Sequence, residues 1–334
     1  MTNTGQNLKP KLSNIAIFGA NGRLGKEVAT ALTNSDYTGQ IRLIVRSKKN
    51  LALLKKAFPK AEYTIADYLG IDSLIAALDG VDGVFLVTPN RLDEENAMQN
   101  FIFAARRRVG AIKHIVRILG DPPGMHWSKV PDTLRNAPGG TAIQHLIAKD
   151  ILLKSRLPIT YVNIAAYFMQ NLSGPLFSLG LRQHRTLVCP RNRQMAWIDC
   201  ADIGRSCAAL LTSDDHRHIG HTYHLDNGHD ILSFDQVASL MSEVFEEPIV
   251  YNGTDRAFVN LKHMRNIEID VDPPLLKEDY FVTYSQFEQD NQTAWRKTDI
   301  VEYLTSTKAK TLAQWLGENK EAILNSTELP RRYR

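Results

Sequence analysis

The chain has 334 residues, 43% of them hydrophobic and 23% charged, with a formal net charge of +4 from 40 Lys and Arg against 36 Asp and Glu. That composition excludes wholesale disorder, and the length is enough for about two lobes with a sizeable core. No apolar run approaches the ~20 residues of a membrane span, and the charge is too evenly balanced to argue for nucleic acid.

Residues 1–12 are polar, and the first apolar stretch runs straight into a glycine-rich turn. Neither a signal peptide nor an anchor is expected. From there strands and helices alternate. Strands are predicted at 14–18, 41–45, 61–65, 83–87 and 114–118, with helices at 25–33, 51–58, 71–78 and 96–109 between them. Largely apolar strands in βαβα order predict a parallel sheet covered on both faces, doubly wound through right-handed crossovers. The basic run Arg106-Arg107-Arg108 reads as a solvated helix end that complements the helix dipole. After Gly120 the pattern loosens, and Asp121-Pro122-Pro123-Gly124 and Asn136-Ala137-Pro138-Gly139-Gly140 bracket a loop-rich segment. A helix at 141–154 and a strand at 159–162 follow. The remainder mixes short elements and reads as a smaller lobe partly interleaved with the sheet. The expected division is 12–165 plus about 195–230 for the sheet domain, and 166–194 with 231–334 for the smaller α/β lobe. Arg331-Arg332-Tyr333-Arg334 reads as a loose tail.

Cys189, Cys200 and Cys207 offer no CxxC and no disulfide framework, so a reducing cytoplasm is expected. His216, His218, His221, His224 and His229 are crowded together, but without HExxH or carboxylates at ligand spacing. They read as a polar loop leading into a strand, and no metal site is expected.

Gly19-Ala20-Asn21-Gly22-Arg23-Leu24-Gly25 sits between the first strand and the first helix. Its spacing is GxxGxxG. Glycines there permit a tight turn, close backbone approach to a pyrophosphate and close helix–strand packing. The helix start then attracts phosphate through its N–H groups and dipole. An NAD site usually places an acid about 20 residues on, at the end of the second strand. Here that strand ends Val45-Arg46-Ser47-Lys48-Lys49. Arg46 can grip a 2′-phosphate with its planar fork, Lys48 adds charge, and Arg23 is a candidate for the same region. NADPH is therefore the expected dinucleotide, with NADH second. Asp67 and Tyr68 are candidates to flank the adenine, by hydrogen bonding and by stacking. The alternative is a turn aspartate beside a half-buried tyrosine. Thr88-Pro89-Asn90 closes the fourth strand, where the carboxyl edge of such a sheet meets its ligand.

These features resemble the NmrA-like group of atypical short-chain dehydrogenases/reductases. The resemblance rests on the glycine turn, Asp67, and the run from Leu78-Asp79-Gly80 through Leu86-Val87-Thr88-Pro89. It continues in His145 with Lys149, Phe168-Met169-Gln170-Asn171, Trp197-Ile198-Asp199 and Asp202-Ile203. Residues 298–316 are similar to the C-terminal helices of the branch holding quinone reductases and ergot-alkaloid-type reductases. The resemblance implies an NADP(H)-binding Rossmann fold, a smaller C-terminal lobe and a ligand cleft between them. It also implies a second possibility, because the group includes redox sensors and transcriptional co-regulators that bind dinucleotide.

Short-chain dehydrogenases normally carry Tyr-x-x-x-Lys and a serine. Neither is present. The corresponding helix reads Gln144-His145-Leu146-Ile147-Ala148-Lys149, which places His145 and Lys149 on one face. The resemblance implies that Lys149 holds the nicotinamide ribose. His145 is open between proton donor, positioning residue and a helix-packing histidine, since a neighbouring cation would lower its pKa and empty its acid form. Hydride transfer without a dedicated acid suits acceptors that are already electrophilic: quinones, iminium ions, conjugated enones or cationic dyes. Tyr167 and Phe168 are candidates to wall the nicotinamide and an aromatic substrate, with core aromatics as the alternative. His126 and Trp127 are candidates to line or cover the pocket. Asp199 is expected to cap a helix beginning near Asp202. A small-molecule reductase, monomeric or homodimeric, is the leading expectation. A dinucleotide-sensing regulator without turnover is the second.

Overall fold

The computed structural model describes residues 8–49, 51–90, 92–107, 110–122, 125–135, 141–164, 166–174, 176–264, 280–291 and 297–325. Outside them lie Arg108, Pro123 and Gly124, the stretch 136–140 and the C-terminal basic tail.

Seven strands form one sheet: β1 (Asn14–Phe18), β2 (Gln40–Val45), β3 (Glu62–Ile65), β4 (Gly83–Leu86), β5 (His114–Leu119), β6 (Ile159–Ile164) and β10 (Thr222–Leu225). Their order is β10-β6-β5-β4-β1-β2-β3, and every neighbouring pair is parallel. β4, β5 and β6 are buried along their whole length, as strands covered on both faces must be. The winding direction reverses between β1 and β4, which opens a crevice at the carboxyl ends of those strands.

One face is covered by α1 (Arg23–Thr33) and α8 (Cys200–Thr212). Leu24, Val28 and Leu32 of α1 share a buried cluster with Ile203, Cys207 and Leu211 of α8. The two helices touch at Gly204, where an added Cβ would sit 2.7 Å from the backbone carbon of Glu27. The other face is covered by α3 (Ile71–Leu78), α4 (Glu94–Arg106) and α6 (Thr141–Lys154), through Leu74, Met98, Phe101 and Leu152. On the α2 side, Leu51–Ala57 packs Leu54 into the first cluster. Arg106 ends α4 by donating to the carbonyl of Ser155 at 2.7 Å, and Arg107 lies over the Phe103 ring.

β7 (Tyr167–Phe168) follows β6 almost at once and pairs with β9 (Met195–Ile198), which pairs in turn with β11 (Ile231–Leu232). A second small sheet joins β8 (Thr186–Val188) to β12 (Val250–Asn252). Around these pack α7 (Ser178–His184), α9 (Phe234–Phe245) and α13 (Leu312–Leu324), over a core centred on the fully buried Trp197. Its ring meets Tyr167 and Phe234 at centroid distances of 5.8 and 6.0 Å. α5 (Asp132–Arg135), α10 (Asp255–Met264), α11 (Tyr280–Asn291) and α12 (Ile300–Thr305) complete the helices among the described residues.

The interleaving is finer than the expected division. Within 195–230, β9 belongs to the small sheet, whereas α8 and β10 belong to the large one. Within 231–334, Val301 of α12 joins the core beneath α8. Asp199 caps α8 by accepting from the Ala201 amide at 3.0 Å, so that helix starts at Cys200. His216 and His218 lie on a short 3-10 turn and His224 on β10. Among the described residues no three His, Cys, Asp or Glu side chains converge as a metal site.

Candidate active site

The glycine turn carries the chain from β1 into α1. Gly19 has φ +66°, and its carbonyl accepts from the Gly22 amide at 2.8 Å. A Cβ on Gly25 would sit 2.3 Å from the Gly19 oxygen, so helix and turn pack as only glycine allows. Gly22 is the N-cap and offers no side-chain cap, and the first turn of α1 holds no acid. Open N–H groups and the absence of an acid leave this end of α1 able to hold an anion.

Arg46, Ser47 and Lys48 are exposed at the end of β2, next to the turn whose Ala20 amide donates to the Ile44 carbonyl at 3.2 Å. No acid stands there, so the residues present fit a dinucleotide with a 2′-phosphate. Arg23 points elsewhere. Its guanidinium donates to Asn171 Oδ1 at 3.0 Å and lies 5.7 Å from the Phe168 ring centroid. It ties the turn to the lobe.

Asp67 is exposed and closes a turn by accepting from the Leu69 amide at 2.9 Å. The adenine-stacking expectation for Tyr68 is corrected. Tyr68 is only 8% exposed, its ring stacks on Phe18 at 5.3 Å, and its hydroxyl donates to the Val87 carbonyl at 2.7 Å. Its ring is buried in the core cluster beneath the crevice.

At the end of β4, Pro89 is exposed and Thr88 is buried. Thr88 Oγ1 donates to Glu94 and accepts from Arg117 Nη2 at 3.1 Å. Arg117, on β5, is completely buried and pairs with Glu94 at 3.0 Å. His145 stands beside this pair, with Nε2 3.6 Å from Glu94 Oε1. Its Nδ1 accepts from the Gly120 amide at 2.9 Å. Burial, then the Arg117 charge, hold the His145 pKa well below its ordinary value. The imidazole is therefore neutral, and with Nδ1 accepting, its proton resides on Nε2. Burial and the Arg117 charge thus disfavour the imidazolium form that the proton-donor expectation needs. What the ring does is fix Gly120 at the end of β5.

Lys149, one turn further along α6, reaches Asp121 Oδ2 at 3.3 Å. Its side chain is 26% exposed, against 2% for that of Asp121. Asn163 donates to the Asp121 carbonyl at 3.0 Å and contacts His224 Nδ1 at 3.1 Å. Several buried polar atoms here have no protein partner: Arg117 Nε and Nη1, His145 Nε2, Asp121 Oδ1 and Asn163 Oδ1.

Above them lies a cavity of about 320 Å³. Leu24, Thr88, Gly120, Asp121, His145 and Ile164 form its sheet side. Tyr167, Phe168, Met195, Tyr284 and Glu288 form its lobe side. Tyr167 and Phe168 line this cavity, and Tyr167 also packs against Trp197 and Phe234 in the core of the lobe. His126 and Trp127 are not among the residues lining this cavity, which corrects the lining half of that expectation. His126 is exposed and caps the 3-10 turn Trp127–Lys129, and Trp127 packs with Val130, Leu134 and Phe287 under the Arg135 guanidinium.

Sequence reasoning missed Arg193, Tyr284 and Glu288. Arg193 is 4% exposed and pairs with Glu288 at 2.6 Å, donates to the Tyr167 hydroxyl at 2.9 Å and lies 5.0 Å from the Phe234 centroid. Burial pushes the Glu288 carboxyl up, and Arg193 opposes it. Arg193 and Glu288 lie 95 residues apart, Arg193 between Asn192 and Gln194, and nothing local in the sequence marks them as a pair.

A parallel sheet of this order, a glycine turn at its first βα junction and a cavity on its carboxyl edge define a Rossmann-type dinucleotide-binding fold with an added lobe. More closely, the chain belongs to the NmrA-like family, whose profile matches residues 11–315. The NAD(P)H azoreductase of Xenophilus azovorans is 26% identical over 241 residues, covering 71% of this chain and 76% of that one. The NADPH-dependent quinone oxidoreductase of Escherichia coli, in complex with NADPH, superposes with TM-score 0.69 at 20% identity, covering 91% of this chain and 99% of that one. NmrA, a negative transcriptional regulator, in complex with NADP, gives TM-score 0.70 at 18% identity, covering 92% of this chain and 95% of that one.

Proposed function

We propose that this chain is an NADPH-dependent reductase that passes a hydride to an electrophilic small molecule. The observation that carries the reading is the cavity itself. Leu24, on the first turn of the uncapped α1, lines the same space as Gly120, Ile164 and the aromatic pair Tyr167 and Phe168. The azoreductase and quinone oxidoreductase relatives support it. Bound NADPH would supply the hydride. The protein's part is to orient and to exclude water.

In this reading the glycine turn holds the pyrophosphate, and Arg46, Ser47 and Lys48 hold the 2′-phosphate. Asp67 stands at the adenine end, and Lys149 holds the nicotinamide ribose. His145 positions Gly120 and transfers no proton. The acceptor is then an activated one: a quinone, an imine or iminium, or a conjugated enone. NADH is a weaker alternative. A monomer or homodimer working on a small molecule in the cytoplasm, without nucleic acid, completes the reading. No helix among the described residues is long and apolar enough to cross a membrane.

The test is NADPH oxidation by the purified protein over a panel of quinones, enones, imines and cationic dyes. Oxidation confined to plain ketones would sink it. For the cofactor, Arg46→Ala is expected to weaken NADPH binding about tenfold, worth ~1.4 kcal/mol, and to leave NADH unchanged. Equal losses for both would remove the 2′-phosphate role. The neutral His145 and the likeness to NmrA favour one second reading, a redox sensor that binds NADP(H) without turnover. Partner capture that follows the NADPH/NADP⁺ ratio, with no oxidation across the panel, would select it.

A further inference from the structure

Two residues one turn apart on α6 grip two consecutive residues that leave β5. His145 Nδ1 accepts from the Gly120 amide at 2.9 Å, and Lys149 Nζ reaches Asp121 Oδ2 at 3.3 Å. From the other side Asn163, on β6, donates to the Asp121 carbonyl at 3.0 Å, and its Nδ2 lies 3.1 Å from His224 Nδ1 on β10. Pro122 is buried too and fixes the next φ. The Asp121 backbone is thus pinned from α6, from β6 and by the proline after it, and its side chain is 2% exposed. Lys149 is the opposite kind of residue. It is a flexible four-carbon stem with three donors, and 26% of its side chain is in solvent. Left alone, such an ammonium samples many rotamers, and ordering it on binding costs affinity.

We propose that Asp121 is a positioning residue that preorganises Lys149 for the nicotinamide ribose and acts on the cofactor only through that ammonium. The inference deepens the reductase reading and rests on it. His145, which stands where a short-chain dehydrogenase carries its tyrosine, is turned to Gly120 and Glu94 and leaves the lysine to Asp121. The ion pair adds little to net stability, because burying the carboxyl offsets the attraction. What it fixes is where Nζ stands: beside the part of the cavity wall formed by Gly120, Asp121, Pro122 and His145.

The experiment uses the full-length protein and two probes. NADP⁺ carries the nicotinamide ribose, and 2′,5′-ADP carries the adenosine and the 2′-phosphate without it. Both affinities are measured by calorimetry for the wild type, Asp121→Asn, Lys149→Gln and the double variant. Asp121→Asn keeps the side chain's shape and releases the ammonium, and Lys149→Gln keeps a donor for the carboxyl. Asp121→Asn is expected to weaken NADP⁺ about fivefold and Lys149→Gln about tenfold, with 2′,5′-ADP unchanged by either. The double variant should bind NADP⁺ no more weakly than Lys149→Gln, since a residue that acts through Lys149 then has nothing to act on. A merely structural role would weaken both probes and add to the effect of the lysine. Unchanged NADP⁺ affinity in Asp121→Asn, equal losses for the two probes, or a further loss in the double variant overturns the assignment. A loss at Lys149 with none at Asp121 overturns it alone. Lys149→Gln without effect on NADP⁺ overturns the ribose role in the reductase reading, and the assignment with it.

Discussion

The two edges of the central sheet each bury a charged network, and they are finished differently. At the amino edge, Lys9 enters from before β1. Its Nζ contacts His114 Nδ1 at 2.7 Å and donates to the Leu210 and Leu211 carbonyls at 3.2 Å, closing the end of α8. His114 Nε2 meets Thr160 Oγ1 at 2.8 Å, and Thr160 donates to the His218 carbonyl at 2.7 Å. Each atom in that chain has a partner. At the carboxyl edge, the network of Thr88, Glu94, Arg117, His145 and Asp121 leaves donors and acceptors open beneath the cavity. A buried polar group without a partner costs about 1–3 kcal/mol, so open groups persist where a ligand or water completes them. At the amino edge the Lys9 network is closed, and the one described open atom at the start of β1 is Asn14 Oδ1. The carboxyl edge is held ready.

The largest test of that contrast is Arg117→Leu. It strands the Glu94 carboxylate, which is 2% exposed, and should cost about 3–5 kcal/mol in denaturant unfolding. It should also weaken NADPH binding, because Thr88 loses a donor and the Glu94 carboxylate beside His145 loses its cation. Lys9→Met comes next. It leaves two carbonyls and an imidazole nitrogen unpaired, and a loss of about 2 kcal/mol is expected in the same measurement. NADPH affinity should not change, and a parallel loss would erase the distinction between the edges.

The last test is a slope with pH, small over any one pH unit. Burial, and Lys9 after it, lower the His114 pKa to about 3 from an ordinary 6.5. The unfolded chain then binds the extra proton first, so this contribution is present above pH ~6.5 and is lost as pH falls toward 3. His145 is shifted the same way. His114 should give a limiting slope of about 1.4 kcal/mol per pH unit within that window, and His145 a contribution of the same sign as pH falls below the ordinary histidine range. In unfolding across the acid range, saturating NADP⁺ should flatten only the His145 part. No change on adding it would mean that the cavity is not coupled to that histidine.

The strands and the glycine turn were legible because their signals are local. An apolar run bounded by turn residues, or a glycine spacing before a helix, needs no partner to be read. Arg117 was readable in principle, since a charged residue inside His114-Ile115-Val116-Arg117-Ile118-Leu119 must find an opposite charge once both sheet faces are covered. Its partner Glu94 belongs to the preceding helix, and periodicity does not name it. The Arg193–Glu288 pair spans most of the lobe and was invisible. Tyr68 and Trp127 failed for a related reason. Both are loop-borne aromatics, and whether a ring faces a crevice or a core is decided by neighbours such as Phe18 and Phe287 that sequence order does not reveal.

Arg23 carries one more consequence. By position it belongs to the nucleotide turn. By contact it belongs to the lobe, through Asn171 and the Phe168 ring. A chimera that transplants this lobe onto another Rossmann sheet at the β6–β7 boundary would leave its clasp behind. The transferable module is therefore discontinuous, and an exchange between relatives should carry the arginine along with the distant segment it holds.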